Sequence, residues 1–385
     1  MKKSLIAVAM LGTFAATAHA QSSVTLYGLL DTGFVYTNNS QGHHDYQMLS
    51  GETQNTVFGL KGNEDLGGGL QAIFKLEQGF LLNNGAQAFA GDGFGSQSWV
   101  GLQSDKYGTV TLGRQFDVMN DLVGPLTAEF NTWGGSLAAH PFENDNLAAD
   151  SVVINNSIKY ASPTISGFTF ESMYSFSNKS EFADNRSYGF AASYAAGPLS
   201  FAAGYLQFNN AGDGTGAAGT SDTSANLVAA RQRIWSLGGN YTFGAATVGL
   251  VYSHTQLDDL GGVFSFGTGT YLGENDSSAG SLSGSLRMDN YEVNAKYALT
   301  PALTLSGSYT YTHGAYNGSS PGWNTAMLQS DYMLSKRTDF YVEGVYQGVH
   351  GAPADSVLSH AMINTLSPSS TDTQVAVTVG IRHQF

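Results

Sequence analysis

From Ser23 to the carboxyl terminus the chain repeats one pattern: a stretch in which apolar and polar side chains alternate, then a connection, short and long in turn. Alternation with a period of two puts successive side chains on opposite sides of an extended strand. The last stretch, Asp372–Phe385, shows this best. Val375, Val377, Val379 and Ile381 fall on one side, and Gln374, Thr378 and Arg382 on the other. Near the start, Val24 and Leu26 oppose Thr25, Tyr27 and Asp31. Tight turns are read at Asn63–Gly69, Ser104–Tyr107, Gly197-Pro198, Phe243-Gly244 and Ser335–Thr338. Long connections are read at Thr37–Gln54, Leu81–Gly95, Asn209–Ala230, Asp258–Ser285, Gly314–Gly322 and Gly351–Ser370. All eight prolines fall in connections, as a residue that cannot donate to a ladder should.

These stretches number about sixteen, a size that leaves a water-filled lumen when the sheet closes in a membrane. Closure matters there because hydrocarbon offers no partner to an unpaired backbone group. Only 12% of residues are charged, while the chain holds 48 glycines, 22 phenylalanines and 20 tyrosines. That balance suits strands, tight turns and aromatic girdles. A soluble β-sandwich has similar strands but no reason to keep its long loops at one end. Nothing after the first residues approaches the ~18–20 apolar residues of a spanning helix, and with no cysteine there is no disulfide framework. The chain opens Met1-Lys2-Lys3, runs through Leu5–Leu11 and reaches Ala18-His19-Ala20. This is the form of an export signal, so residues 1–20 are expected to be cleaved, leaving one domain, 21–385. A net charge of -14 argues against nucleic acid as a partner.

One connection stands apart. Phe116–Asp150 joins the strands Gly108–Gln115 and Val152–Ala161, with breakers at Gly124-Pro125, Gly134-Gly135 and His140-Pro141. It carries Asp117, Asp121, Glu129, Glu143, Asp145 and Asp150. Loops this long are usually functional, and inside a closed wall this one has a useful course inward, to narrow the hole. The expected architecture is an all-β, 16-stranded antiparallel transmembrane barrel with an inward-folded third loop, 116–150, as its constriction.

Several stretches resemble the general porins of Gram-negative bacteria, of the betaproteobacterial (neisserial and burkholderial) trimeric type. They are Val24–Asp31, Gly62–Glu77, Trp99–Leu102, Tyr107–Gln115, Asn155–Pro163 and Val379–Phe385. The resemblance implies a homotrimer of such barrels in the bacterial outer membrane, each throttled by its third loop. It also implies that Phe385, ending an amphipathic strand, is the signal read by the barrel-insertion machinery. Family members carry arginines on the channel wall facing the acidic loop. The corresponding positions here are Val57, Ser96 and Val153, all uncharged.

The expected constriction is therefore Asp117, Asp121 and Glu129 from the loop, with Arg114 beside it and Val57, Ser96 and Val153 opposite. Tyr27, Asp31, Lys61, Lys75, Glu77 and Lys159 are expected to face the lumen elsewhere. By strand parity Lys61 and Lys159 lie roughly 13–20 Å toward the short turns, too far to neutralise the neck directly. A ring of fixed charge sets which ions dwell at a narrow point. The expected function is passive diffusion of ions and small hydrophilic solutes, weakly cation-preferring or poorly selective, with a substrate-specific channel or a surface anchor as alternatives. No cofactor is expected, and no enzyme: no serine sits in Gly-x-Ser-x-Gly. His43-His44-Asp45 lacks a third ligand at a useful spacing and reads as solvated loop rather than a metal site. His383 reads as an interfacial residue.

Overall fold

The computed structural model describes residues 23–385 apart from 90, 131–134, 149–151, 179, 181–184, 210–226, 266–269, 273–281 and 355. The expected signal segment, Asp150 and most of the connection 209–230 lie outside the described residues. The wall is built from β1 (Ser23–Ser40), β2 (His43–Ser50), β3 (Val57–Gly67), β4 (Leu70–Gly79), β5 (Gln97–Ser104), β6 (Gly108–Gln115), β7 (Ile154–Ala161), β8 (Phe168–Ser175) and β9 (Ser187–Ala196). It continues through β10 (Leu199–Asn209), β11 (Leu227–Phe243), β12 (Ala246–Ser265), β13 (Thr270–Leu272), β14 (Leu286–Ala298), β15 (Leu303–Tyr316), β16 (Gly322–Met333), β17 (Thr338–His350) and β18 (Thr373–Gln384).

Every pairing among these is antiparallel, and β18 pairs back onto β1 with Gly33 opposite Gly380, which closes the sheet on itself. β3 lies opposite the first half of β1 and β2 opposite the second, so the two share one stave with residues 51–56 stepping between them. β13 pairs only with the far end of β12, on the side that β14 takes lower down, and so belongs to the β14 stave. Among the described residues the wall is thus a barrel of sixteen staves.

The alternation sorts the two faces as expected. Val24 is 65% exposed, Phe34 70% and Leu328 74%, all pointing away from the barrel axis, while Gln374, Thr378 and Arg382 are buried inside. A large apolar side chain left in water forgoes roughly 1.5–3 kcal/mol, and dozens lie on this outer face. Such a surface belongs in hydrocarbon.

Two connections differ from expectation. Residues 37–54 are mostly strand: β1 and β2 form a hairpin around Gln41 and Gly42, whose φ values are 53° and 94°. Consecutive positive φ values make the tight turn whose twist suits paired strands. The connection 314–322 shrinks to Asn317–Pro321 for the same reason, since β15 runs on to Tyr316. At the opposite end Gly67, Gly68 and Gly69 are all left-handed, a run that only glycine makes without strain. The termini of the wall also meet there. Phe385 N–H donates to Gly28 O at 3.1 Å and Gly28 N–H to Phe385 O at 3.2 Å. The Phe385 ring lies where a Cβ on Gly28 would stand.

Candidate functional site

The third long connection, L3 (residues 116–153), lies against the inner faces of staves far from its own ends. It begins with the short helix α1 (Val118–Leu122), capped by Asp117, whose carboxylate accepts from the Met119 and Asn120 amides. Val118, Met119, Val123 and Leu126 pack on Met173, Ala191, Leu206, Ile234 and Val251 of β8 to β12. The bare backbones of Gly189 and Gly204 leave the room, since a Cβ on either would press on Val118 or Met119. Further on, the Leu126 carbonyl accepts from Asn294 Nδ2 of β14 at 3.0 Å. The Asn144 carbonyl accepts from Gln232 on β11 at 2.7 Å and Thr255 on β12 at 2.9 Å. Phe142 meets Trp323 of β16 edge to face, with ring centroids 5.7 Å apart. Gly135, at φ 56°, presses against the Thr53 backbone so closely that a Cβ would collide with its carbonyl.

This course leaves open space on the side of β4 to β8. A recess of about 270 Å³ is lined there by Lys75, Trp99, Gln115, Asp121, Lys159 and Glu171, among others. Its charges are paired. Lys75 Nζ lies 3.0 Å from Glu77 Oε2, which also accepts from the Tyr27 hydroxyl at 2.8 Å. Lys61 and Lys75 both sit over the Tyr27 ring, 5.1 and 5.6 Å from its centroid. Lys159 is ion-paired with Asp121 and donates to the Phe116 carbonyl at 2.9 Å.

The expected site residues therefore divide. Asp121 and Lys159 meet, correcting the expectation that Lys159 lies too far down to act on the loop. Strand parity gave the face correctly, but α1 descends along the wall and carries Asp121 to the lysine. Asp117 and Glu129 are fully buried, one spent on capping and on Asn146, the other on the His140 amide at 2.7 Å. Neither presents its charge to open lumen. Arg114 is also a correction. It shares a face with Ser98, opposite it in the ladder, and with outward-facing Leu112. Its guanidinium donates to Gly95 O at 2.5 Å and Asn155 at 2.6 Å and stacks on Phe89, so it braces the second long connection. Val57 is half-buried on the inner face between Leu29 and Gly79. Ser96 and Val153 are buried, at 6% and 1% exposure, and offer no channel surface. Asp31 is buried too. Its Oδ2 accepts from Thr53 N at 3.0 Å, Thr53 Oγ1 at 2.7 Å and Gln54 N at 2.8 Å, and its Oδ1 from the Tyr341 hydroxyl at 2.7 Å. It clamps the step between β2 and β3.

Sequence reasoning missed Trp99, Gln115 and Glu171, although each sits at an inward position of an alternating strand. It also missed that 351–372 folds inward. Met362 N–H donates to Gln347 and Ile363 N–H to Gln374, both at 2.7 Å. The apolar run Ala361-Met362-Ile363 inside a nominal loop was the available signal.

Burial pushes the Asp117 carboxyl up to about 7; the two cap amides pull it down and Asp121 adds to the rise. A folded value above the ordinary ~4 means that its contribution to stability is complete below about pH 4 and is lost as pH rises through about 7. The Met119 and Asn120 amides should accordingly exchange more slowly at pH 5 than at pH 8 after correction for intrinsic rates. Asp117→Asn should flatten that difference; equal protection at both pH values in the parent would contradict it.

The sequence profile of the Gram-negative porins matches residues 7–351. The chain belongs to that family. An outer membrane porin protein of Bordetella pertussis is 31% identical to this porin over 416 residues, with all of each chain covered. An anion-selective porin from Comamonas acidovorans superposes with a TM-score of 0.72 at 24% identity, covering 94% of this porin and 100% of that chain. OmpT, an outer membrane protein of Vibrio cholerae, superposes in its trimer form with a TM-score of 0.65 at 17% identity, covering 94% and 99%. At these identities the two structural likenesses speak for the fold alone.

Proposed function

We propose that this porin is a passive, water-filled diffusion channel of the outer membrane, nearly unselective or weakly cation-preferring, with L3 as its constriction. The observation that carries the selectivity is the pairing in the recess. Lys75 is matched by Glu77 and Lys159 by Asp121, and Glu171 lines the same space as a further carboxylate. Paired charges leave little net field for either ion. The trimer form of the Vibrio protein supports assembly as a homotrimer, and export through a cleaved leader with insertion signalled by Phe385 completes the reading.

Reversal potentials across a potassium chloride gradient test it: the expected value lies near zero or slightly on the cation side, and a clear chloride preference ends the proposal. The anion-selective Comamonas relative supplies that opposing reading. Lys159→Gln should raise potassium over chloride preference roughly two- to tenfold, because the carboxylate it frees is worth ~0.5–1.4 kcal/mol to a nearby cation in partly aqueous surroundings. An unchanged ratio would remove Lys159 and Asp121 from the permeation path. A substrate-specific channel remains the second reading, favoured by the partly enclosed recess beside Trp99. Conductance that saturates with one solute class would establish it.

A further inference from the structure

Behind L3, against β14, lies a group of side chains that the channel reading does not use. Glu129, His140 and Asp145 are fully buried, and one ligand-capable atom from each lies within 4.8 Å of the others. His140 Nδ1 faces Asp145 Oδ2 at 2.6 Å and Glu129 Oε1 at 3.4 Å. His140 Nε2 faces Glu292 Oε2 of β14 at 3.0 Å. Glu129 Oε1 and Asp145 Oδ1 have no hydrogen-bond partner despite complete burial, although orphaned carboxylate oxygens are costly to bury.

We infer that Glu129, His140 and Asp145 form a site for one zinc-class divalent cation that locks L3 in its folded course. The donor set is one imidazole nitrogen and two carboxylates, which suits zinc and its first-row neighbours rather than calcium or magnesium. Tetrahedral ligands ~2.0–2.2 Å from a metal stand roughly 3.3–3.5 Å from each other, and the separation between Glu129 Oε1 and His140 Nδ1 is 3.4 Å. Asp145 can contribute its unpartnered Oδ1 by turning away from the imidazole. Behind the ligands, His140 Nε2–H donates to Glu292 Oε2, the backing that metal-bound histidines commonly have. Glu292 itself is engaged elsewhere, accepting from the Ala128 amide at 2.9 Å and from Asn294, and it stays a support rather than a ligand.

Charge counting favours the same reading. With every carboxyl ionised, three carboxylates around one imidazolium would leave two formal negative charges in a buried space. A divalent cation that displaces the Nδ1 proton, releasing it to solvent, leaves one. The ligands all belong to L3, and the site reaches the wall through Glu292 and through Ser253 and Asn290, which donate to Asp145 Oδ2, so occupancy would stiffen the loop without touching the recess.

The test refolds the full-length mature porin into detergent with zinc, desalts it and measures bound metal. His43→Asn with His44→Asn serves as background, removing the one adjacent pair of exposed histidines. About one zinc per chain is expected in the parent and in that background, with at least tenfold weaker retention in Glu129→Gln. Zinc should raise the thermal midpoint of the parent but not of Glu129→Gln. A folded parent that retains no zinc overturns the inference, as does a folded Glu129→Gln variant that retains as much as the parent. Should Glu129→Gln not fold, cobalt loaded into the parent decides: intense visible bands of a four-coordinate nitrogen and oxygen site support it, and the spectrum of aqueous cobalt overturns it.

Discussion

Replacing Val57 with arginine is expected to turn the channel toward anions. Val57 is the one position of the three uncharged wall sites that is half-buried on the inner face. It stands four residues beyond Thr53, the point where Gly135 of L3 meets the wall. A guanidinium at roughly 8 Å from a passing ion contributes about 1–2 kcal/mol for an effective dielectric of about 20–40. That corresponds to about a five- to thirtyfold change in local occupancy for each sign of ion, in opposite directions. The reversal potential should therefore move to the chloride side, with Val57→Gln as the uncharged control. Arginine at Ser96 or Val153 should instead destabilise the barrel, because both positions are enclosed and a buried charge without a partner is costly. If Val57→Arg leaves the potential unchanged, the open lumen does not pass this part of the wall.

The second large effect is structural. Asp31→Ala should lower the stability of the folded barrel by about 3–5 kcal/mol, seen as a shift of the urea midpoint in detergent. Four donors lose their acceptor at once: the Thr53 amide and hydroxyl, the Gln54 amide and the Tyr341 hydroxyl. Residues 51–56 are then free to move, and with them the surface on which Gly135 rests. Single-channel conductance should become noisier as L3 loses that stop. Asp31→Asn keeps part of the acceptor set and should recover part of the stability. Wild-type stability in Asp31→Ala would show that water replaces the carboxylate without cost.

The staves were legible because alternation is a local signal, and hydrocarbon outside with water inside makes that signal strong. It weakens where a strand leaves the membrane. Residues 43–50 open on His43-His44-Asp45 and bring apolar side chains only at Tyr46, Met48 and Leu49, too few to set an alternation, so the β1–β2 hairpin reads as loop from sequence. The length and breakers of L3 announced that it matters, but not which of its acids meet water. Asp117, Asp121 and Glu129 are alike in sequence, and only packing against β8 to β14 buries two and leaves the third beside Lys159. In sequence His140 stands only as part of the breaker His140-Pro141, because its partners Asp145 and Glu292 are 5 and 152 residues away. Parity predicts which face a residue takes; it cannot predict how deep a loop descends to meet it.

The most direct measurement is a planar-bilayer recording of the purified protein across a potassium chloride gradient. Stepwise conductance with a reversal potential near zero or slightly cation-preferring is the predicted result. A sealed film, or steps that reverse close to the chloride equilibrium potential, would contradict it.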